Sequence, residues 1–324
     1  MSRHLQRRAA TYLLVFLVAV SLNFLLPRAI PGNPLEELSS GLGNLPIQLD
    51  PETLKALQSY YGLDRPLLEQ FRRYLEGLVT GQLGYSISYR APVNSLLLQR
   101  FPWTLLLTLS SLVLSFCAAV LLGTRSAKRR NGEWRVLLPA VFFESVPSFV
   151  LGSLLLVLLG VKLPLFPLSG AYSAFSDAEG VWQVLDIAHH AALPVLVLST
   201  SSFFSAYLVV RSSVLLVSQE PYVLMAALKG LPEPIIRYRY VLRTALLPLI
   251  TFFGVRLAYS AGGAILIEVL FAYPGVGRLI YEAVLSHDYP LLQGAFLVFT
   301  VWIIAVNFLT DCLYMSLDPR VKEV

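Results

Sequence analysis

Residues 103–123 read WTLLLTLSSLVLSFCAAVLLG, and residues 124–135, which follow, read TRSAKRRNGEWR. The first stretch holds 21 residues without a charge, and as an α-helix it is about 30 Å long, the thickness of a bilayer's hydrocarbon core. The second carries Arg125, Lys128, Arg129, Arg130 and Arg135. An apolar run of that length followed by a short basic loop reads as a transmembrane helix leaving the membrane on its cytoplasmic side.

The rest of the chain repeats this pattern. Apolar runs occupy 9–26, 136–161, 191–210, 246–271 and 291–315, which with 103–123 makes about six spans. Of the 324 residues, 56% are hydrophobic and only 14% are charged, against the quarter expected of a soluble domain. Such a composition excludes a disordered chain, a collagen-like array and a disulfide-stapled secreted domain. Cys117 and Cys312 both lie in apolar runs and read as small hydrophobes. The net charge of +5 comes from basic blocks between apolar runs, not from one basic face, so nucleic acid is not an expected partner. The first run follows Arg3, Arg7 and Arg8, as a signal peptide would, but its long core and the lack of a small-x-small site before Pro31 favour a retained helix.

Orientation follows from the short loops. Arg211, Lys229, Arg237, Arg239 and Arg243 fall in 211–245, on the same side as the 125–135 loop, whereas 162–190 and 272–290 carry only Lys162 and Arg278. Both termini are therefore expected in the cytoplasm. The chain is expected to be all-α and polytopic, with 1–30 as the N-terminus and first span, 31–102 as an ordered external segment, and 103–324 as a five-helix core. In the external segment Asp50-Pro51-Glu52 starts one helix, with Gly62 as its stop. Asp64 to Pro66 starts an amphipathic second one with Leu67, Leu68, Phe71, Tyr74, Leu75 and Leu78 before Gly81, and a third from Pro92 runs toward the second span.

Several chemistries lack their residues. Tyr273-Pro274-Gly275-Val276-Gly277 leads to Arg278, not to the Lys-Ser of a phosphate-binding loop, so no ATP binding by this chain alone is expected. His4, His189, His190 and His287 have no C-x-x-C or H-E-x-x-H beside them, and neither a metal nor another cofactor is expected. Charges inside the runs, Glu144, Arg256, Glu268 and Asp311, are costly in hydrocarbon and should face protein or a watery path. Glu144 and Glu268 fit two roles: proton sites of a secondary transporter, or buried groups paired with Arg256 or with serines.

The stretch 218–248 is the most informative loop. Ser218 is a candidate N-cap, Pro221 suits a first turn, and Gly230-Leu231-Pro232 stops a short helix over 219–229. Tyr222, Met225, Ala226 and Lys229 recur at helical spacing, so this helix reads either as an element lying across the cytoplasmic face for a partner or as ordinary packing on its own bundle.

Here the sequence resembles the permease subunits of ATP-binding-cassette importers, specifically the dipeptide, oligopeptide and nickel branch. The resemblance rests on Tyr222-Val223, Ala226, Lys229-Gly230-Leu231 and, further on, Arg243, Ala245, Leu246, Leu247 and Pro248. It continues in Pro31-Gly32-Asn33-Pro34, Tyr61-Gly62-Leu63-Asp64-Arg65-Pro66, Gly81-Gln82-Leu83-Gly84-Tyr85-Ser86, Val146-Pro147-Ser148-Phe149, the run from Glu268 to Arg278, and Leu317-Asp318-Pro319-Arg320. Leu224 and Ala227 stand where the family carries polar or basic residues, and Leu224-Met225-Ala226 replaces Glu-Ala-Ala.

The resemblance implies a bacterial or archaeal inner-membrane permease importing a peptide, or nickel or its chelate. It implies a second homologous permease, two cytoplasmic ATP-binding subunits and an external solute-binding protein as partners. Tyr222, Val223, Ala226, Lys229, Gly230 and Leu231 would couple to the ATPase. Glu144, Pro147, Gly262, Gly263 and Glu268 are the residues proposed for the path. A self-sufficient proton-coupled transporter and a non-transporting receptor or scaffold are the alternatives from other classes.

Overall fold

The structure, a computed structural model, describes residues 2–29, 64–127, 142–173 and 179–317, with positions 55, 59, 62, 138 and 139 between them. The described residues form helices and connecting turns: α1 (Ser2–Ala29), α2 (Leu67–Thr80), α3 (Val93–Ser126), α4 (Ser148–Leu155) with a π-helical extension (Leu156–Lys162), and α5 (Val181–Val217). After these come α6 (Pro221–Leu228), α7 (Glu233–Ala245), α8 (Leu247–Gly263), α9 (Ile265–Leu270), α10 (Val276–Leu285) and α11 (Tyr289–Leu317). The Pro31 motif, the Asp50-Pro51-Glu52 helix start and the closing Asp318-Pro319-Arg320 lie outside the described residues.

Helices long and apolar enough to cross a membrane number 4 among the described residues: 10–29 of α1, then α3, α5 and 289–313 of α11. The α7 and α8 pair makes a fifth if counted as one span bent by 49°. Pro248 explains the break, because it has no N–H to continue the helix ladder across Leu246. Helices α3 and α5 outrun the apolar runs that foretold them, since a helix continues into the interface as long as its polar ends are solvated. The run 136–161 is described only in part. From Phe142 on it is helical to Ser145, interrupted at Val146-Pro147, and resumes as α4.

The chain divides into two compact units, residues 1–103 with 274–304, and 104–273 with 305–324. In the first, α2 lies against α1, where Phe24 meets Phe71 edge-on at 5.0 Å and Tyr74 at 5.8 Å. Gln70 Oε1 accepts from Arg28 Nη2 at 2.8 Å, and Asn23 Nδ2 donates to Thr300 Oγ1 at 3.2 Å. As expected, α2 stops at Gly81, whose φ of 70° is left-handed. A fully buried Asp288 ties the turn at 86–88 to the start of α11, accepting from Ser86 Oγ at 2.6 Å, Ser88 N at 2.9 Å and, as the helix N-cap, Leu291 N at 3.1 Å.

In the second unit, α3 and α5 are joined by serines. Ser115 Oγ shares its proton between Ser111 O of its own helix at 2.6 Å and Ser199 O at 2.9 Å, and Ser199 Oγ between Val195 O at 2.5 Å and Ser111 O at 3.2 Å. Lipid gives helices no hydrophobic reason to associate, so small hydroxyl residues that let backbones approach do that work. Below them Ala119, Tyr207, Val210 and Val214 form an apolar cluster on which Val223 of α6 and Val241 and Ala245 of α7 sit.

Candidate functional site

Helix α6 starts at Pro221, later than the expected residue 219, and ends at Leu228. Ser218 is not its N-cap. That position falls to Glu220, which makes no side-chain cap, and Ser218 Oγ donates instead to Val214 O of the preceding helix at 2.6 Å. A serine can turn back to the carbonyl four residues earlier as readily as it can cap forward, and here the α5 carbonyl wins. The stop is as read from the sequence. Gly230 has φ 72°, its N–H donates to Ala227 O at 2.9 Å, and Leu231 N donates to Ala226 O at 3.3 Å. This pair of bonds is a Schellman cap, which places a left-handed residue just past the helix.

The cap and the cluster fix which face of α6 is offered. Val223 and Ala226 are buried against the second unit's core, and Tyr222 Oη donates to Thr244 Oγ1 of α7 at 3.0 Å. Facing away are Leu224 at 62% exposure, Met225 at 55% and Leu228 at 73%, with Lys229 and Gly230 beside them. Of the six residues proposed for coupling, Val223 and Ala226 thus anchor the helix while Tyr222, Lys229 and Gly230 remain accessible. Met225, grouped with Tyr222 and Ala226 by spacing, turns outward. Leu228 was missed as a presented residue, although an eight-residue helix apolar on every side must leave some of that surface uncovered.

Within the bundle, the proposed path residues separate. Glu144 is exposed, and its Oε1 accepts from Ser205 Oγ of α5 at 2.6 Å. Ser205 Oγ in turn accepts from Arg256 Nη2 of α8 at 2.9 Å. The pairing of Glu144 with Arg256 suggested by the sequence therefore exists through one hydroxyl. Pro147 is the N-cap of α4 and sits at the interruption of that apolar run. Gly262 lies near the end of α8, and no atom comes within 4 Å of where its Cβ would stand, so it makes no close helix contact among the described residues. Gly263 is the last residue of α8, before the break at Ala264.

Glu268, on α9, is fully buried. Thr104 Oγ1 of α3, a threonine where the sequence suggests serine, donates to its Oε1 at 2.7 Å. Its backbone carbonyl accepts from Tyr273 N at 2.7 Å, closing α9. Asp288 in the first unit was not foreseen. Its signal, an aspartate two residues before Pro290 at the start of a long apolar run, is an N-cap signature. Among the described residues no group of three His, Cys, Asp or Glu side chains is placed to hold a metal.

Residues 115–323 match the family described as binding-protein-dependent transport system inner membrane component, and residues 1–108 match its N-terminal counterpart. The chain belongs to this family. It is similar to the oligopeptide transport system permease protein AppB of Bacillus subtilis, 30% identical over 99% of this chain and 100% of that protein. A putative peptide permease of Brucella ovis is 34% identical over 99% of each chain, and the dipeptide transport system permease protein DppB of Escherichia coli is 30% identical over 100% of this chain and 99% of that one. The protein is a multi-pass permease component of an ATP-binding-cassette importer in the inner membrane. A permease of such a system works with an ATPase and with a solute-binding protein. In this binding-protein-dependent permease α6 is a short helix between the long α5 and the bent α7 and α8 pair, and the Glu144, Ser205 and Arg256 chain lies among its apolar helices.

Proposed function

We propose that this permease carries peptides inward through a path shared with a second homologous permease, driven by two cytoplasmic ATP-binding subunits that grip α6. The observation that supports coupling at α6 is its division into an anchored and a presented face. Val223 and Ala226 fix it to the bundle, so a push on Leu224, Met225 and Leu228 is passed to α5 and α7 rather than absorbed by a loose loop. Desolvating those three side chains supplies docking energy without a charge at Leu224 or Ala227.

The solute assignment is supported by relatives named as peptide permeases along nearly their whole length. On this reading the chain neither binds nor hydrolyses ATP; closure of the ATPase pair exchanges inward-open and outward-open states of the bundle. Glu144, Pro147, Gly262 and Gly263 line or shape the path, and Glu268 braces it from within the protein. Both termini lie in the cytoplasm, six spans cross the bilayer, and residues 31–102 meet the external face.

The test is uptake of a radiolabelled tripeptide by proteoliposomes holding both permeases and both ATP-binding subunits, with the binding protein outside. Uptake should require ATP and the binding protein, and should persist with the proton gradient collapsed. Uptake that follows the proton gradient without ATP would replace the importer reading with that of a secondary transporter.

A further inference from the structure

The second unit contains a cavity of about 170 Å³, walled by leucines as well as polar groups, the latter including Thr108 and Ser111 of α3, Ser201 of α5, and Arg256, Tyr259 and Ser260 of α8. Ser111, Ser201 and Arg256 stand near the middles of the apolar runs 103–123, 191–210 and 246–271. The cavity is therefore at the depth where polar groups cost most and are kept for function.

Its chemistry is two-sided. The hydroxyls of Thr108, Ser111, Ser201 and Ser260 donate to carbonyls of their own helices, at 2.8 Å to Thr104, 2.9 Å to Thr108, 2.9 Å to Leu198 and 2.8 Å to Leu257. With the single proton of each committed, what these four hydroxyls offer the cavity is lone pairs, which accept from N–H groups. Arg256 supplies the opposite capacity. A guanidinium has five N–H donors, and Ser205 Oγ takes one of them, itself steadied by Glu144. The remaining donors suit a carboxylate, which a planar guanidinium binds in paired fashion.

We infer that this cavity receives the carboxylate end of the transported peptide, with Arg256 as its anchor and the hydroxyl oxygens accepting from the adjoining backbone N–H groups. The inference rests on the peptide reading above and deepens it. Complete ligand pockets run from about 300 Å³ upward, so a smaller one fits a chain terminus and not a whole peptide. Recognition of a terminus and of backbone N–H groups is blind to side chains, as a path serving peptides of varied sequence must be.

The experiment measures uptake of trialanine and of trialanine amide in the same reconstituted complex, each preloaded to saturation on the binding protein, and compares the acid-to-amide ratio. For Arg256→Gln the ratio should fall about tenfold, the order expected for one charge-assisted hydrogen-bonded contact. Arg256→Lys, which keeps the charge, should retain most of it. Ser260→Asp, one helical turn from Arg256, should lower the ratio as well, by occupying the guanidinium, and keeps the test decisive where Arg256→Gln does not assemble. A general loss of function moves both probes together and leaves the ratio alone. An unchanged ratio in both variants, in a complex whose parent transports trialanine, overturns the cavity assignment and leaves the peptide reading standing. A parent complex that moves neither probe refutes the peptide reading and this ligand with it.

Discussion

Gly230→Val tests whether α6 transmits force. At φ 72° the glycine is in the left-handed region, which costs an ordinary L-residue about 1–2 kcal/mol and a β-branched one more. The alternative to bearing that strain is to open the cap, which forfeits the bonds from Gly230 N to Ala227 O and from Leu231 N to Ala226 O, each contributing about 0.5–1.5 kcal/mol. Either route costs about 2 kcal/mol and lowers the capped population roughly thirtyfold. No atom lies within 4 Å of the position a Cβ would take, so collision adds nothing and the effect is one of backbone alone. Gly230→Asn should therefore behave nearly as the parent, because asparagine tolerates the left-handed region. The assay is peptide-stimulated ATP hydrolysis and uptake in the reconstituted complex, with membrane insertion followed separately and Glu179→Gln, at an exposed site, as the control. Gly230→Val should insert yet lose both activities. A Gly230→Val complex that hydrolyses and transports like the parent would refute the lever, and equal damage from Gly230→Asn would refute the cap argument.

Three further perturbations follow from the packing. Gly254→Ala would put a Cβ 2.2 Å from Thr310 Oγ1 and Cγ2, forcing α8 from α11 and costing about 1–3 kcal/mol in detergent-melt stability; Thr310→Ala should recover only part, since its Cβ remains 2.7 Å away. Asp288→Ala strands the buried donors Ser86 Oγ and Leu291 N and releases the part-buried Ser88 N, so it should cost about 2–3 kcal/mol and expose the 85–92 turn to protease, which intact protection in the variant would contradict. The Tyr89 phenol is pushed up to about 12 by burial and by its hydrogen bond to Glu282. A raised folded value means the stabilisation is whole below pH 10 and is lost between about 10 and 12 as the unfolded chain ionises first. Tyr89→Phe should flatten stability across that window, and an unchanged alkaline slope would count against the assignment.

What the sequence made legible was whatever depends on composition over many residues or on a backbone requirement at one. Runs of apolar residues announce spans because hydrocarbon punishes every alternative, and glycines at 81 and 230 announce helix ends because a Cβ disfavours the left-handed turn. The sequence misled where a side chain has two local partners of similar worth. Ser218 could cap α6 or bond back into α5, and only the continuation of α5 to Val217 decides for the second. It was silent where partners are distant in the chain: Ser86 and Asp288 are 202 residues apart, and nothing in either neighbourhood names the other.

The serines of the bundle show why side-chain roles were harder to read than the fold. Ser111, Ser115, Ser199, Ser201, Ser205 and Ser260 look alike in sequence, each a small polar residue tolerated in an apolar helix because its proton can return to the backbone. Geometry gives them different work. Ser115 and Ser199 reach across to each other's helices and hold α3 to α5. Ser205 passes a hydrogen bond from Arg256 to Glu144 and so joins two charges that would each be costly alone. Ser201 and Ser260 bond only within their own helices and face the cavity with lone pairs to spare. Whether a hydroxyl locks a bundle or lines a cavity depends on its rotation about the helix axis relative to a neighbour. That rotation is set by packing among helices far apart in sequence, and so composition conceals which serines bind helix to helix and which face a cavity.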